Sequence, residues 1–242
     1  AASDVYKRQT YEGESVYNYL QVYENDERVA LSTNVLFGVQ SVYMKQDELT
    51  GMYYDYAMAA PLMLKDKPTD QMDVLILGMG TGTYATQCRK YFGDMNIEGV
   101  EIDEKITDLS RKYFSLSEDV PVTTYDGRAF LNASQKAYDV IMVDAYQDIT
   151  IPFQMSSKEF FALVKSHLKD DGVMVVNMNM RGTKEGNINQ YLSDTIGSVF
   201  TTEVIVDVAG SSNRDLFASD DPDIGKNLTK HTGELTNANL KN

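Results

Sequence analysis

Three glycines alternate in LGMGTGT, at Gly78, Gly80 and Gly82, and an acid, Glu101, follows about twenty residues on, at the end of NIEGVE. Glycines at such a turn let the backbone bend tightly and approach a ligand closely. A helix starting directly behind the turn aims its unpaired N–H groups at the same ligand. The strand-end carboxylate is then placed to accept hydrogen bonds from both hydroxyls of a ribose. A second acid, Asp126, precedes Gly127 in TTYDGR, a position suited to accepting from the amino group of an adenine.

The loop spacing separates two ligand classes. A dinucleotide loop carries its third small residue three positions after the second glycine, which here is Thr83, whereas Gly82 lies two positions after Gly80. Gly-x-Gly-x-Gly is the spacing of methyltransferase-like proteins, and the expected ligand is an S-adenosyl compound.

The elements that must position these residues alternate. An apolar strand over Asp73–Leu77 leads into a helix from Thr83 to Phe92, and a strand over Asn96–Ile102 into a helix over Glu104–Phe114. A short strand over Val120–Thr124 and a helix over Arg128–Ser134 follow, then the buried strand YDVIMVD (Tyr138–Asp144) and an amphipathic helix, Ser157–Leu168. GVMVVNMNM is a further buried strand, Glu185–Val199 a helix, and Thr201–Val208 with Asp215–Ser219 an edge hairpin. Repeated β-α units require a parallel sheet covered on both faces. The expected class is therefore α/β, a Rossmann-like sheet of the class I S-adenosylmethionine methyltransferase type.

Ahead of this unit, SVYNYLQVYENDERVALSTNVLFGVQSVYMK alternates Tyr and Val with polar residues and turn formers, the pattern of a small antiparallel sheet. The expected organisation is a leader over 1–14, a β-sheet domain over 15–50, a connecting helix and linker over 51–71, a catalytic domain over 72–220 and a polar, frayed tail over 221–242. The chain opens without methionine, and SDVYKRQ resembles translated adapter read-through, so residues 1–14 are left out of the fold argument. The native protein is expected to begin further upstream, with membrane helices among the segments that region is free to hold.

Composition removes some functions. A net charge of -14 opposes nucleic-acid binding and favours a cationic small molecule. The single cysteine, Cys88, forms no internal disulfide or cysteine-based zinc site, and the two histidines, His167 and His231, lie far apart. His167 is read as a helix C-terminal dipole partner. No metal is expected. No apolar run reaches the roughly 20 residues of a membrane span, so the expected location is the cytoplasm, with no membrane contact in this stretch.

Several segments together resemble the spermidine/spermine synthases, the polyamine aminopropyltransferases, from about Tyr17 to Ser219. GVQSVY is similar to the family's glycine-x-x-glutamine step, with Gln40 as the glutamine. DELTGMYYDYAMAAPL is similar to its Asp-Glu…Tyr-His/Gln-Glu…Pro-Leu segment, with Tyr53, Tyr54 and Asp55 at the Tyr-His/Gln-Glu positions. GVEID, YDGRAFL and YDVIMVDAYQD match its ribose strand, its Asp-Gly step and the strand ending in its catalytic aspartate. The resemblance implies a transferase that moves an aminopropyl group from decarboxylated S-adenosylmethionine to a diamine such as putrescine. Asp144 would then be the base, Tyr53 and Tyr146 would orient the amine, and Asp55 and Asp148 would hold substrate. Gln40, Gly78, Gly80, Thr81, Gly82, Glu101, Asp126 and Gly127 would hold the donor. It also implies a homodimer.

Two departures mark a divergent branch. Thr81 stands where the family's glycine loop carries an aspartate for the donor's ammonium, and a hydroxyl supplies no such charge nor repels the carboxylate of intact S-adenosylmethionine. Gln147 stands where the second acid of Asp-x-x-Asp-Pro belongs; Asp148, one residue late, takes that role only if the loop bulges. Two alternatives stay open: a small-molecule methyltransferase using intact S-adenosylmethionine, and a non-catalytic adenosyl- or polyamine-binding module.

Overall fold

Alternating apolar and polar residues extend the N-terminal sheet back to Arg8, into the expected leader. The computed structural model describes residues 8–34, 39–144, 155–179 and 185–241. Within them β1 (Arg8–Glu14), β2 (Tyr19–Glu24), β3 (Arg28–Thr33) and β4 (Val39–Met44) form a four-stranded antiparallel meander in that order. β1 falls inside the expected leader, which is corrected accordingly: Arg8–Glu14 pairs along its length with β2, and Tyr11 packs its ring 6.4 Å from that of Tyr113. The alternating tyrosine and glutamates of QTYEGE carry the same period of two as the later strands.

Two short helices, α1 (Tyr53–Ala57) and α2 (Ala59–Leu62), lead to the larger unit. There β5 (Asp73–Leu77), α3 (Thr83–Phe92), β6 (Asn96–Glu101), α4 (Glu104–Tyr113), β7 (Val122–Thr124) and α5 (Gly127–Ala133) make the first half. β8 (Tyr138–Val143), α6 (Lys158–Ser166), β9 (Leu168–Asn179), α7 (Glu185–Gly197), β10 (Thr202–Asp207) and β11 (Asn213–Ser219) make the second. The seven strands run in the order β10-β11-β9-β8-β5-β6-β7, parallel from β9 to β7, with β11 and β10 antiparallel at one edge. This is the expected Rossmann-like sheet with its closing hairpin.

Strand periodicity divides the core by face. Val74, Ile76, Val140, Met142, Val175 and Phe217 pack with Tyr53, Tyr54 and Tyr84 on one side. Leu75, Leu77, Ile141, Val143, Val176 and Leu216 pack with Phe160 and Phe161 on the other. A third cluster joins Leu20, Val22, Val29 and Leu31 of the meander to Ile106, Leu109 and Phe114, so the meander docks on α4. Cys88 is buried among these apolar groups, which push its thiol up to about 12.

The expected frayed tail is also corrected. α8 (Ile224–Gly233) follows β11, with α9 (Ala238–Lys241) beyond it, and Ile224 is fully buried. Asn227 Nδ2 donates to the Met63 carbonyl at 2.9 Å, and His231 Nδ1 lies 2.7 Å from the Leu62 carbonyl oxygen. Ile224, Leu228, His231 and Leu235 share one helical face; few apolar residues suffice because the rest of the helix faces water. His167 sits at the C-cap of α6, with Nδ1 2.7 Å from the Lys136 carbonyl oxygen. No helix among the described residues is long and apolar enough to cross a membrane.

Candidate active site

The glycine loop bends as its sequence requires. Gly78, Gly80 and Gly82 have φ of 83°, 55° and 78°, values that L side chains rarely adopt. Gly82 caps α3, and a methyl group there would lie 2.7 Å from Leu116 Cδ1. At Gly80 the same direction is open, with nothing nearer than Ser41 Oγ at 4.0 Å. The backbone thus presents a bare concave side at Gly80 and a packed one at Gly82.

Glu101 closes this loop from below. Its Oε1 accepts from Gly80 N and its Oε2 from Asp103 N, both at 2.9 Å. Burial raises its pKa and the two backbone donors pull it back. A carboxylate has about four acceptor directions, so lone pairs remain for a diol. Asp126 caps α5 through Oδ1, which accepts from Ala129 N at 2.9 Å, with Gly127 as the first helical residue. Between these acids Ile102 and Tyr125 stay 46% and 51% exposed, a pair of apolar surfaces open to solvent.

Thr81 does not face that space. It is fully buried, and its Oγ1 donates to Ser41 Oγ at 2.7 Å and lies 3.0 Å from Thr83 Oγ1. Tyr54 Oη meets Ser41 Oγ at 2.8 Å and the Gln40 carbonyl at 3.4 Å. This chain of hydroxyls pins the loop to β4. The Thr81 hydroxyl is therefore engaged as a structural strut inside the protein.

Asp144 follows β8 and continues the alternation of Val140 and Met142 onto the face of Tyr53. Its N donates to the Leu77 carbonyl at 2.8 Å, holding it beside the entry to the glycine loop. Tyr53 Oη donates to Asp144 Oδ2 at 2.6 Å, and Asn177 Nδ2 to Oδ1 at 3.0 Å. Burial raises the Asp144 carboxyl to about 6, against those two hydrogen bonds, which lower it. Burial and the neighbouring Asp144 charge hold the Tyr53 phenol well above 10, so it remains a donor.

Asp55 is engaged elsewhere. It accepts from Thr50 N and Oγ1, Gly51 N and Gln87 Nε2 at 2.7–3.1 Å, fastening the loop before α1 to α3. Three of these donors converge on Oδ1 and one on Oδ2, a local role that stands beside the expected substrate contact. Tyr146 and Asp148 lie outside the described residues. Sequence reading missed Asn177 and Asn213; an amide inside the apolar run VMVVNMN was a legible signal for Asn177, whereas Asn213 lies in the polar turn SSNR. Asn213 Nδ2 donates to Asn177 Oδ1 at 3.0 Å and so orients the amide for Asp144. Among the described residues, no three His, Cys, Asp or Glu side chains gather as a metal site.

Residues 52–208 match the family model described as the spermine/spermidine synthase domain. A probable polyamine aminopropyl transferase of Bifidobacterium longum is 62% identical over 210 residues, covering 86% of this chain and 46% of the relative. The chain spans about half the length of the relatives it matches, 46% and 58% of two of them. In fold it is similar to a probable spermidine synthase from Corynebacterium glutamicum, with a TM-score of 0.77 at 19% identity over 92% of this chain and 86% of that one. A spermidine synthase in complex with the transition-state analogue AdoDATO gives a TM-score of 0.75 at 20% identity, covering 98% and 80%. The family model covers more than half of this sequence, and the chain belongs to the spermine/spermidine synthase family.

Proposed function

We propose that the chain is the transferase part of a polyamine aminopropyltransferase, moving an aminopropyl group from decarboxylated S-adenosylmethionine to a diamine such as putrescine. The observation that carries this reading is the half-buried Asp144 carboxylate, oriented by Tyr53 and Asn177 beside a glycine loop whose strand-end acid keeps lone pairs for a ribose.

In this reaction the amine nitrogen attacks the carbon next to the sulfonium, and methylthioadenosine leaves. An alkyl amine has a pKa of about 10, so neutralising it at pH 7 costs roughly 4 kcal/mol. Asp144 takes that proton, and its carboxyl, raised to about 6, is a stronger base than an exposed aspartate while still ionised at neutral pH. Tyr53 fixes one carboxylate oxygen, leaving lone pairs aimed at the amine. Tyr146 is the second proposed amine-orienting residue, and Asp148 the proposed anchor of the far ammonium. Gly80, Glu101, Ile102 and Asp126 hold the nucleoside. Burial around Asp144 strengthens its attraction for a cation.

The proposed assembly is a cytoplasmic homodimer. Val16 and Tyr17, 95% and 54% exposed at the β1–β2 turn, favour an interface there; light scattering checks the mass and cell fractionation the compartment. For the reaction, the purified chain is incubated with putrescine and either donor, and products are separated by chromatography. Methylthioadenosine from the decarboxylated donor is expected. S-adenosylhomocysteine from the intact donor would replace this reading with methyl transfer.

A further inference from the structure

We propose that Asp215 is a second anionic determinant for the amine, a carboxyl set behind Asp144 that answers a cation entering beside it. The inference rests on reading the Asp144 site as an amine pocket.

Asp215 lies in β11, in NRDLFAS, and stands directly opposite Asn177 of β9 in the antiparallel ladder. Cross-strand partners share a face, so Asp215 points to the side of the sheet where Asn177 holds Asp144. Asp215 is 0% exposed, and neither carboxyl oxygen has a hydrogen-bond partner among the described residues. An unpartnered buried carboxyl is costly, and a fold that keeps one usually uses it. A surface role is closed to it, and the apolar neighbours Phe217 and Val175 would pack an apolar side chain there equally well.

Among the described residues, the groups shown to act on it carry no compensating charge. Asp144 acts on it from the end of β8, and Tyr84 of α3, bonded to the Ala57 carbonyl and paired with Cys88, senses its charge. From α1, Tyr53 reaches it only through Asp144, and from β10 the facing residue is Val206. Arg214 is turned away, onto Asp207. Burial first, and the Asp144 charge second, raise the Asp215 carboxyl well above the ordinary carboxylate range and so favour its protonated form. A cation beside Asp144 cancels that repulsion and favours the ionised form. Asp215 then loses its proton to solvent, and the pocket gains a second negative charge, matched to a doubly charged amine. It acts through the field at Asp144 as a positioning residue, without touching the reacting atoms.

The test is calorimetric titration of putrescine into the full chain loaded with methylthioadenosine, at pH 7.5, in phosphate and in Tris. The difference in heat between the buffers counts protons released. The native chain is expected to release protons on binding. Asp215→Asn should lose that release and weaken putrescine about tenfold, the equivalent of one pKa unit of interaction. Asp215→Leu, which removes the orphan carboxyl outright, should do the same while melting at a higher temperature. Unchanged affinity and proton release in both variants would overturn the inference and leave the proposed function standing. A native chain that binds decarboxylated S-adenosylmethionine but no amine would overturn that function, and the inference with it.

Discussion

The Tyr53 hydroxyl donates to Asp144 Oδ2 at 2.6 Å, joining the first turn of α1 to the end of β8. Burial raises both groups: the phenol is kept protonated and the carboxyl is brought to about 6. The pair therefore has a fixed direction, with the phenol donor and the carboxylate acceptor across the neutral range. An acid in this position stays ionised while being less weak as a base than one in water.

Replacing Asp144 with Asn keeps the shape and removes the proton acceptor. The turnover of decarboxylated donor and putrescine should fall about 10²–10⁴-fold, the usual contribution of a positioned base. Methylthioadenosine affinity should stay nearly unchanged, because Glu101 and the glycine loop hold the nucleoside. Steady-state kinetics with a binding titration checks both, and full turnover in the variant would remove Asp144 from the role of base.

The pH profile follows from the same carboxyl. kcat/KM should rise as Asp144 ionises, through a limb near pH 6. The hydrogen bonds from Tyr53 and Asn177 favour the ionised form, so Tyr53→Phe and Asn177→Leu should each move that limb to higher pH. A limb that stayed in place would mean another group sets it. Stability has the opposite sign. The folded state holds the Asp144 proton more tightly than an aspartate in water, whose pKa is about 3.8, so it binds more protons than the unfolded chain between about pH 4 and 6. This contribution to stability is present below that window and is lost as pH rises through it.

Thr81 separates packing from recognition. With its hydroxyl bonded to Ser41 and Thr83, Thr81→Val should cost about 1–2 kcal/mol by leaving hydroxyls unpaired in a buried chain. Thr81→Asp should cost more, since it buries a carboxylate in the fully buried space beside Ser41 and Thr83. In neither variant should the preference between decarboxylated and intact donor change beyond what the loss of folded protein explains. Thermal melts alongside competitive binding of the two donors decide it. A clear gain for the decarboxylated donor in Thr81→Asp would show that the side chain does reach the ligand.

What the sequence makes legible depends on the range of the interaction. Glycine torsions, strand alternation and strand-end acids are local properties, so the loop at Gly78–Gly82, Glu101, Asp126 and the position of Asp144 can be read directly. Partners chosen by tertiary packing cannot. Thr81 and Asp55 are expected from the sequence to contact ligand, but their side-chain orientation is set by Ser41 and by Thr50 and Gln87. Asp215 reads as one polar residue in an edge hairpin; only strand pairing puts it opposite Asn177. The helix α8 escapes because its apolar face is four residues wide in a polar stretch, and its anchors are carbonyls of α2 and the residue after it.

The far end of the same strands offers a control. Asp139, 3% exposed near the start of β8, accepts from Lys67 Nζ at 2.8 Å, Asp73 N at 2.8 Å and Lys169 Nζ at 3.4 Å, tying the linker to β5 and β9. Five residues of strand, about 16 Å at 3.3 Å per residue, separate it from Asp144. Removing one partner of a buried pair costs about 3–5 kcal/mol, but the two ammonium groups here are one-third exposed and rehydrate, and Asn keeps an acceptor for Asp73 N. Asp139→Asn should therefore cost about 2 kcal/mol and lower Tm by about 4–8 °C for a chain of this size. Nucleoside affinity and the pH 6 limb should stay as in the native chain. A Tm within a degree of native would mean that the knot contributes nothing net, and a shifted limb would mean that the two ends of β8 are coupled.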